Sequence, residues 1–177
     1  MAGGTGLCVL HAADNMKSWP EFEKMAGLLW REGTGHGGYH EFQVAIVDHD
    51  HPITRGMSDF MVRDELYHRL VNVQNVPYQV LAAAYDDPAI MGPRTGGSGR
   101  HEPVIVVLQY GHGRVYHHVL GHVWPLDPTV EDNDAVDVPS NFRASLGGSM
   151  KNFENPAFQQ ILIRGCEWAA TGDVPSP

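Results

Sequence analysis

Eleven histidines in 177 residues, against three lysines, are the first chemical signal in this chain. Imidazole moves protons and ligates metals near neutral pH. Full protonation would swing the formal charge from −9 to +2. Position separates these histidines. His11 follows the apolar run Leu7-Cys8-Val9-Leu10, and His122 follows Val119-Leu120-Gly121. Open α/β sheets gather ligands at strand ends, so these two are the candidates for chemistry. His49 and His51 flank Asp50 on a solvated turn, and His112 sits in a hairpin turn, where structural roles are the simpler reading. His117 and His118 point to opposite faces of one strand, so at most one can meet a pocket. His36 and His40 are four apart, but the glycines between them argue against a helix that would align them.

General acid–base work needs two or three titratable groups in one cleft. A metal centre needs a third ligand, which Glu65 or His68 could supply. There is no HExxH and no cysteine pair at ligand spacing, so no stereotyped zinc signature. Both chemistries use the same residues, and a histidine-rich rim without chemistry is the plain alternative. Nucleophilic catalysis has little support: GxSxG is absent, and the elbow-like position after the first strand holds His11 and Ala12. Cys8 lies in the apolar run and Cys166 in the last helix, and both read as core. GxGxxG is absent too, and Gly96-Gly97-Ser98-Gly99 cannot be tied to a strand–helix turn.

The elements that would position these groups follow from pattern. Residues 7–10 read as a buried strand after a glycine-rich lead. Ser18-Trp19-Pro20-Glu21 has the form of a capping box, opening a helix with Phe22, Met25, Ala26 and Leu29 on one face. Residues 33–40 form a glycine loop, and Phe42, Val44 and Ile46 alternate as an exposed strand up to Asp48. His51 to Gly56 reads as one helical turn. Residues 64–68 fit neither strand nor loop decisively. Residues 79–85 read as a strand, 86–99 as a loop, and 104–109 with 114–120 as a hairpin around Tyr110-Gly111-His112-Gly113. Residues 127–137 hold five acids and no base, a solvated loop. Asn155-Pro156 caps a last helix with Phe158, Ile161, Leu162 and Ala169 inward and Gly172 as its stop. No internal repeat is present, and residues 1–177 read as one domain with its core over 3–172.

Composition bounds the function. The hydrophobic fraction of 42% against 19% charged supports a sizeable core. The acidic balance argues against nucleic-acid or anionic membrane partners. Apolar runs such as 104–108 are far below the roughly 20 residues of a spanning helix. Residues 1–10 lack the basic region and apolar length of a signal peptide. Two cysteines make no disulfide framework, so a cytoplasmic setting is expected.

Five ordered motifs resemble the ThuA-like (trehalose utilisation) family: residues 7–15, Gly33-Thr34-Gly35-His36-Gly37, Asp50-His51-Pro52-Ile53-Thr54-Arg55-Gly56, Asp64-Glu65-Leu66-Tyr67-His68, and Gly113-Arg114-Val115-Tyr116-His117 through Leu120-Gly121-His122. The resemblance implies an α/β, flavodoxin-like three-layer sandwich related to class I glutamine amidotransferases, and a role in sugar metabolism. It implies that His11 stands where those relatives carry a nucleophile elbow, and His122 near the end of the strand bearing their catalytic histidine. The missing cysteine argues against amidotransferase activity. The family's N-terminal strands have no counterpart here, which implies an open sheet edge: either the chain is a natural short form whose homodimer covers that edge, or it is a truncated gene product, and the homodimer is the expectation.

The expectation is therefore an enzyme acting on a disaccharide, a glycoside or its keto derivative by hydrolysis, elimination or isomerisation. His122 would be the general acid/base, Glu65 its carboxylate partner and His11 a substrate or metal ligand. Asp14, Asn15, Trp19, His36, Tyr67, His68 and His101 form the candidate substrate-contacting set. Trp19, Tyr67 and Trp124 offer sugar-stacking faces, and for Trp19 and Trp124 a place in the core is the equal alternative. A divalent ion, zinc foremost, would sit on His11, Glu65 and His122. The alternative is a non-catalytic sugar-binding or assembly module on a degenerate amidotransferase-like scaffold.

Overall fold

The computed structural model describes residues 3–17, 19–92, 96–122 and 151–175. Ser18, Trp124 and the acidic stretch 127–137 lie outside them. Strand β1 (Leu7–Leu10) runs into a 3-10 turn (His11–Asn15) and helix α1 (Pro20–Ala26). Then come β2 (Gly35–His36), β3 (His40–Ile46), β4 (Phe60–Asp64), β5 (Tyr67–His68), β6 (Tyr78–Tyr85), β7 (His101–Tyr110) and β8 (Gly113–His118). Helices α2 (Lys151–Glu154) and α3 (Pro156–Thr171) follow.

Six strands form one sheet in the order β1-β8-β7-β6-β3-β4, and β2 pairs with β5 in a separate ribbon. β1 and β8 are parallel, whereas β8-β7, β7-β6, β6-β3 and β3-β4 are antiparallel. The two sheet faces bury different sets. Tyr116, Ile105 and Val107 pack with Phe158, Ile161 and Ala169 of α3. Val9, Val115 and Leu108 pack with Ala26 of α1 and with Leu29. Helices thus cover both faces, giving the three-layer α/β, flavodoxin-like arrangement.

Several local expectations change. β1 is a border strand, not a buried one: Val9 is 2% exposed but Leu10 is 37% exposed. Cys8 and Cys166 are both exposed, not core. β3 is not an exposed strand: it pairs on both sides, and Phe42, Val44 and Ile46 are buried. α1 stops at Gly27, whose φ of 74° leaves the helical region. Leu29 therefore lies beyond the helix and bridges Val71. Trp19 is the N-cap of α1 and gives no side-chain cap bond. α3 matches its sequence signals closely: the Asn155 side chain accepts the Ala157 and Phe158 amides, and Gly172 closes the helix at φ 88°.

Candidate functional site

Three segments far apart in sequence deliver the central groups. His11 sits where β1 turns into the 3-10 helix, with a φ of 44°. That left-handed conformation is costly for a non-glycine residue, of the order of 1–3 kcal/mol, and marks a position held by its surroundings. It is the sharp strand-to-helix turn on which an elbow residue is displayed. Glu65 lies between β4 and β5, and His122 follows β8.

His122 Nδ1 lies 2.8 Å from Glu65 Oε2 and 2.9 Å from His11 Nε2. His11 Nδ1 lies 2.8 Å from the Val119 carbonyl oxygen, to which it donates. That bond places the lone pair of neutral His11 on Nε2, where the Tyr67 hydroxyl donates at 2.9 Å. His11 and Glu65 are buried, and His122 keeps about a fifth of its side chain exposed. Burial drives the His11 pKa down to about 4, against the Val119 bond that supports the charged form. Burial, then the carboxylates of Asp14, Glu65 and Asp64, raise the Tyr67 phenol, so it stays a donor.

A second layer fixes the first. Asp64 Oδ1 accepts the amides of Glu65 at 2.7 Å and His122 at 3.3 Å. Its Oδ2 accepts Gly121 N at 2.7 Å and Asn152 Nδ2 at 2.8 Å. One carboxylate thus holds together the end of β4, the segment after β8 and α2. Burial pushes the Asp64 pKa up to about 7, while the Glu65, Gly121 and His122 amides pull against it. Sequence reading missed Asp64, Asn152 and Trp30, which packs edge-on to Tyr67 at 4.7 Å. The signal for Asp64 was its buried position in the alternation Phe60-Val62-Asp64.

The other sequence candidates are spread around this centre. His36 Nδ1 lies 2.7 Å from the Gly37 carbonyl oxygen and 3.7 Å from Glu65 Oε2. Asp14 is fully buried toward α1, its Oδ2 3.8 Å from His117 Nε2. Asn15 is exposed, and Trp19 is half exposed and stacks on Phe22. His68 is sealed against Asp86, Nδ1 to Oδ2 2.7 Å. His101 is exposed and lines a cleft of about 420 Å³ with Tyr67, Arg69 and Arg100. His117 and His118 are buried on opposite faces, bonded to the Ala26 and Leu120 carbonyls.

The donor set suits a cation. One ligand atom each from His11, Glu65 and His122 falls within 4.8 Å of the others. Glu65 Oε1 is buried and makes no hydrogen bond among the described residues. Two imidazoles and a carboxylate with an open side are a common set for zinc or another first-row metal.

Comparison with known proteins matches this arrangement to a family. The trehalose utilisation (ThuA) profile covers residues 1–138. The chain belongs to the ThuA family. A ThuA-like protein from Parabacteroides merdae is 30% identical, with a TM-score of 0.72 over 99% of this chain and 64% of its own. One from Bacteroides uniformis is 16% identical, with a TM-score of 0.65 over 98% and 61%. A cytoplasmic protein from Salmonella typhimurium shares the fold at 11% identity, with a TM-score of 0.56 over 96% and 56%. This ThuA chain thus spans less than two thirds of the length of these relatives. No curated protein matches it. The family is described as trehalose utilisation, and among the described residues no helix is long and apolar enough to cross a membrane.

Proposed function

We propose that this ThuA chain is a carbohydrate-acting enzyme whose acid/base centre is His122 backed by Glu65. The observation that carries the reading is the convergence of His11, Glu65 and His122 from three separate segments at 2.8–2.9 Å. Hydrolysis, elimination and isomerisation of a sugar each need a proton moved at a C–H or O–H. With Nδ1–H donated to Glu65, the basic lone pair of His122 is on Nε2. Such a carboxylate–imidazole pair fixes tautomer and orientation, and general acid–base catalysis contributes roughly 10²–10⁴-fold. His11, kept neutral by burial, would meet substrate together with Tyr67, whose hydroxyl its Nε2 accepts. A disaccharide, a glycoside or its 3-keto form is the substrate class. Cytoplasmic residence and pairing of two copies through the outer rim of β1 belong to the same reading. Light scattering over a dilution series tests the pairing, and a mass of 19.5 kDa throughout would reject it.

A second reading is favoured by the buried, unbonded Glu65 Oε1. Here His11, Glu65 and His122 would hold a divalent ion, zinc foremost, which would supply Lewis-acid polarisation of a bound oxygen. His122 Nδ1 cannot both donate to Glu65 and ligate a metal, so the readings are exclusive at that atom. Turnover on a disaccharide and 3-keto panel, with and without one equivalent of zinc, separates them. Turnover that zinc suppresses supports the proton dyad, and turnover that requires zinc supports the metal. Sugar binding without turnover, unchanged in His122→Ala, would support the non-catalytic alternative.

A further inference from the structure

Cys8 and Cys166 are 158 positions apart in sequence, yet their Sγ atoms lie 3.6 Å from one another. Both residues are exposed, Cys8 on β1 and Cys166 on α3. The backbone holds them in place. A Cβ on Gly6 would come within 2.1 Å of the Ala169 carbonyl oxygen, so glycine alone allows β1 to lie this close to α3. Opposite Cys8 in register stands Tyr116, whose ring occupies the space over Gly165. Tyr116 is fully buried, and its hydroxyl donates to the Ile161 carbonyl at 3.1 Å. A buried ring and two glycine contacts thus fix the strand–helix geometry under the thiols. A disulfide needs about 2.05 Å between sulfurs, a closure of roughly 1.5 Å that two exposed side chains can make.

We propose that Cys8 and Cys166 are a redox-responsive pair that closes to an intramolecular disulfide, tying β1 to α3, on meeting a small-molecule disulfide oxidant. Cys166 releases its proton and attacks one sulfur of the oxidant, forming a mixed disulfide and expelling one thiolate. Cys8 then releases its proton and attacks the Cys166 sulfur. The Cys8–Cys166 bond forms, the second thiolate leaves, and the two expelled thiolates take up the two protons. Two protein thiols are oxidised and one small disulfide is reduced to two thiols. The order follows from the Cys8 site, where burial, then the bond to Cys166, pushes the thiol up to about 12. The bridge would staple the border strand whose end carries His11.

Equilibration with glutathione buffers from reducing to oxidising, acid quenching and intact mass without reductant test the pair. The expected product is lighter by two hydrogens and gives a linked Cys8–Cys166 peptide. Its Tm should rise by roughly 5–10 °C, because the bridge closes a long loop of the unfolded chain. Cys8→Ser should instead stop at a glutathione adduct on Cys166, with no such rise. Two persistent thiols, adducts on both cysteines, disulfide-linked dimers, or a bridged species melting no higher than the reduced one would each overturn the proposal.

Discussion

Two short histidine–carboxylate pairs among the described residues have nearly equal length and opposite settings. His122–Glu65 spans 2.8 Å at the strand ends, with its imidazole partly open to solvent. His68–Asp86 spans 2.7 Å with both side chains at 0% exposure. In the second pair the imidazole lies under Gly35, where a Cβ would come within 2.5 Å of Nε2. Asp86 also accepts the Ser98 amide, which ties the loop after β6 to β5. Burial alone would raise Asp86, but the bonds from His68 and Ser98 outweigh it and hold its pKa low. In the proposed reading the same two functional groups make a lock when sealed and a reagent when one face stays open. Access and neighbours decide the role, and bond length does not.

The largest effect that would sharpen this contrast is on turnover. His122→Ala should lower kcat/KM by about 10²–10⁴-fold while shifting Tm by only a few degrees. Steady-state kinetics beside calorimetry check it, and full activity in the variant would remove His122 from the chemistry. His68→Ala should do the reverse. It leaves Asp86 buried without its partner, at about 3–5 kcal/mol, with near-normal turnover per folded molecule. Denaturant unfolding measures the loss, and a cost below about 1 kcal/mol would break the comparison.

Stability against pH gives a smaller effect with a definite sign. Burial lowers His117 to about 4, against an ordinary 6.5. The unfolded chain then takes up a proton that the folded chain refuses, so this contribution is whole above pH 6.5 and lost as pH falls toward 4. Asp14, raised by burial to about 7, works oppositely: its contribution is whole below about 3.8 and lost as pH rises through 7. Between pH 7 and 5, His117→Asn should flatten the dependence of Tm on pH and Asp14→Asn should steepen it, each by roughly 5 °C. Melts at the two pH values decide it, and an unchanged dependence in either variant would show that its group titrates normally. Tyr67→Phe should cost about tenfold or less in kcat/KM, since it removes one donor to His11 and keeps the ring. Smallest is Trp19→Ala: its half-exposed ring should contribute under about 0.5 kcal/mol to stability. A rise in substrate KM in that variant would place the ring against the sugar.

Much of this was legible in the residues. The hairpin 104–120 and helix α3 carry local signals, turn glycines and an Asn-Pro cap, that no distant contact overrides. His11 and His122 stood out because each ends an apolar run. The extra length given to α1 has a local cause as well. Leu29 keeps the helical spacing, but Gly27 breaks the backbone and frees it to bridge Val71. Strand direction was beyond local reading, because the partner of β3 on each side is set by sheet assembly. Asp64 was hidden for a related reason. An acid at a buried alternation position looks like an interruption until the amides that bond it arrive from residues 57, 58 and 88 positions away.

That carboxylate has a consequence for how the protein can be divided. A fragment ending at His122 would contain every group placed in the chemistry: His11, Glu65, Tyr67 and His122 itself. It would lack Asn152, and Asp64 would lose the donor that α2 brings to its Oδ2. It would also lose α3, and with it the cover over Tyr116 and the sheet face behind β8. The reactive groups and the parts that aim them are thus written in different stretches of the chain. The smallest working unit is set by the last helices, which touch no substrate in this reading.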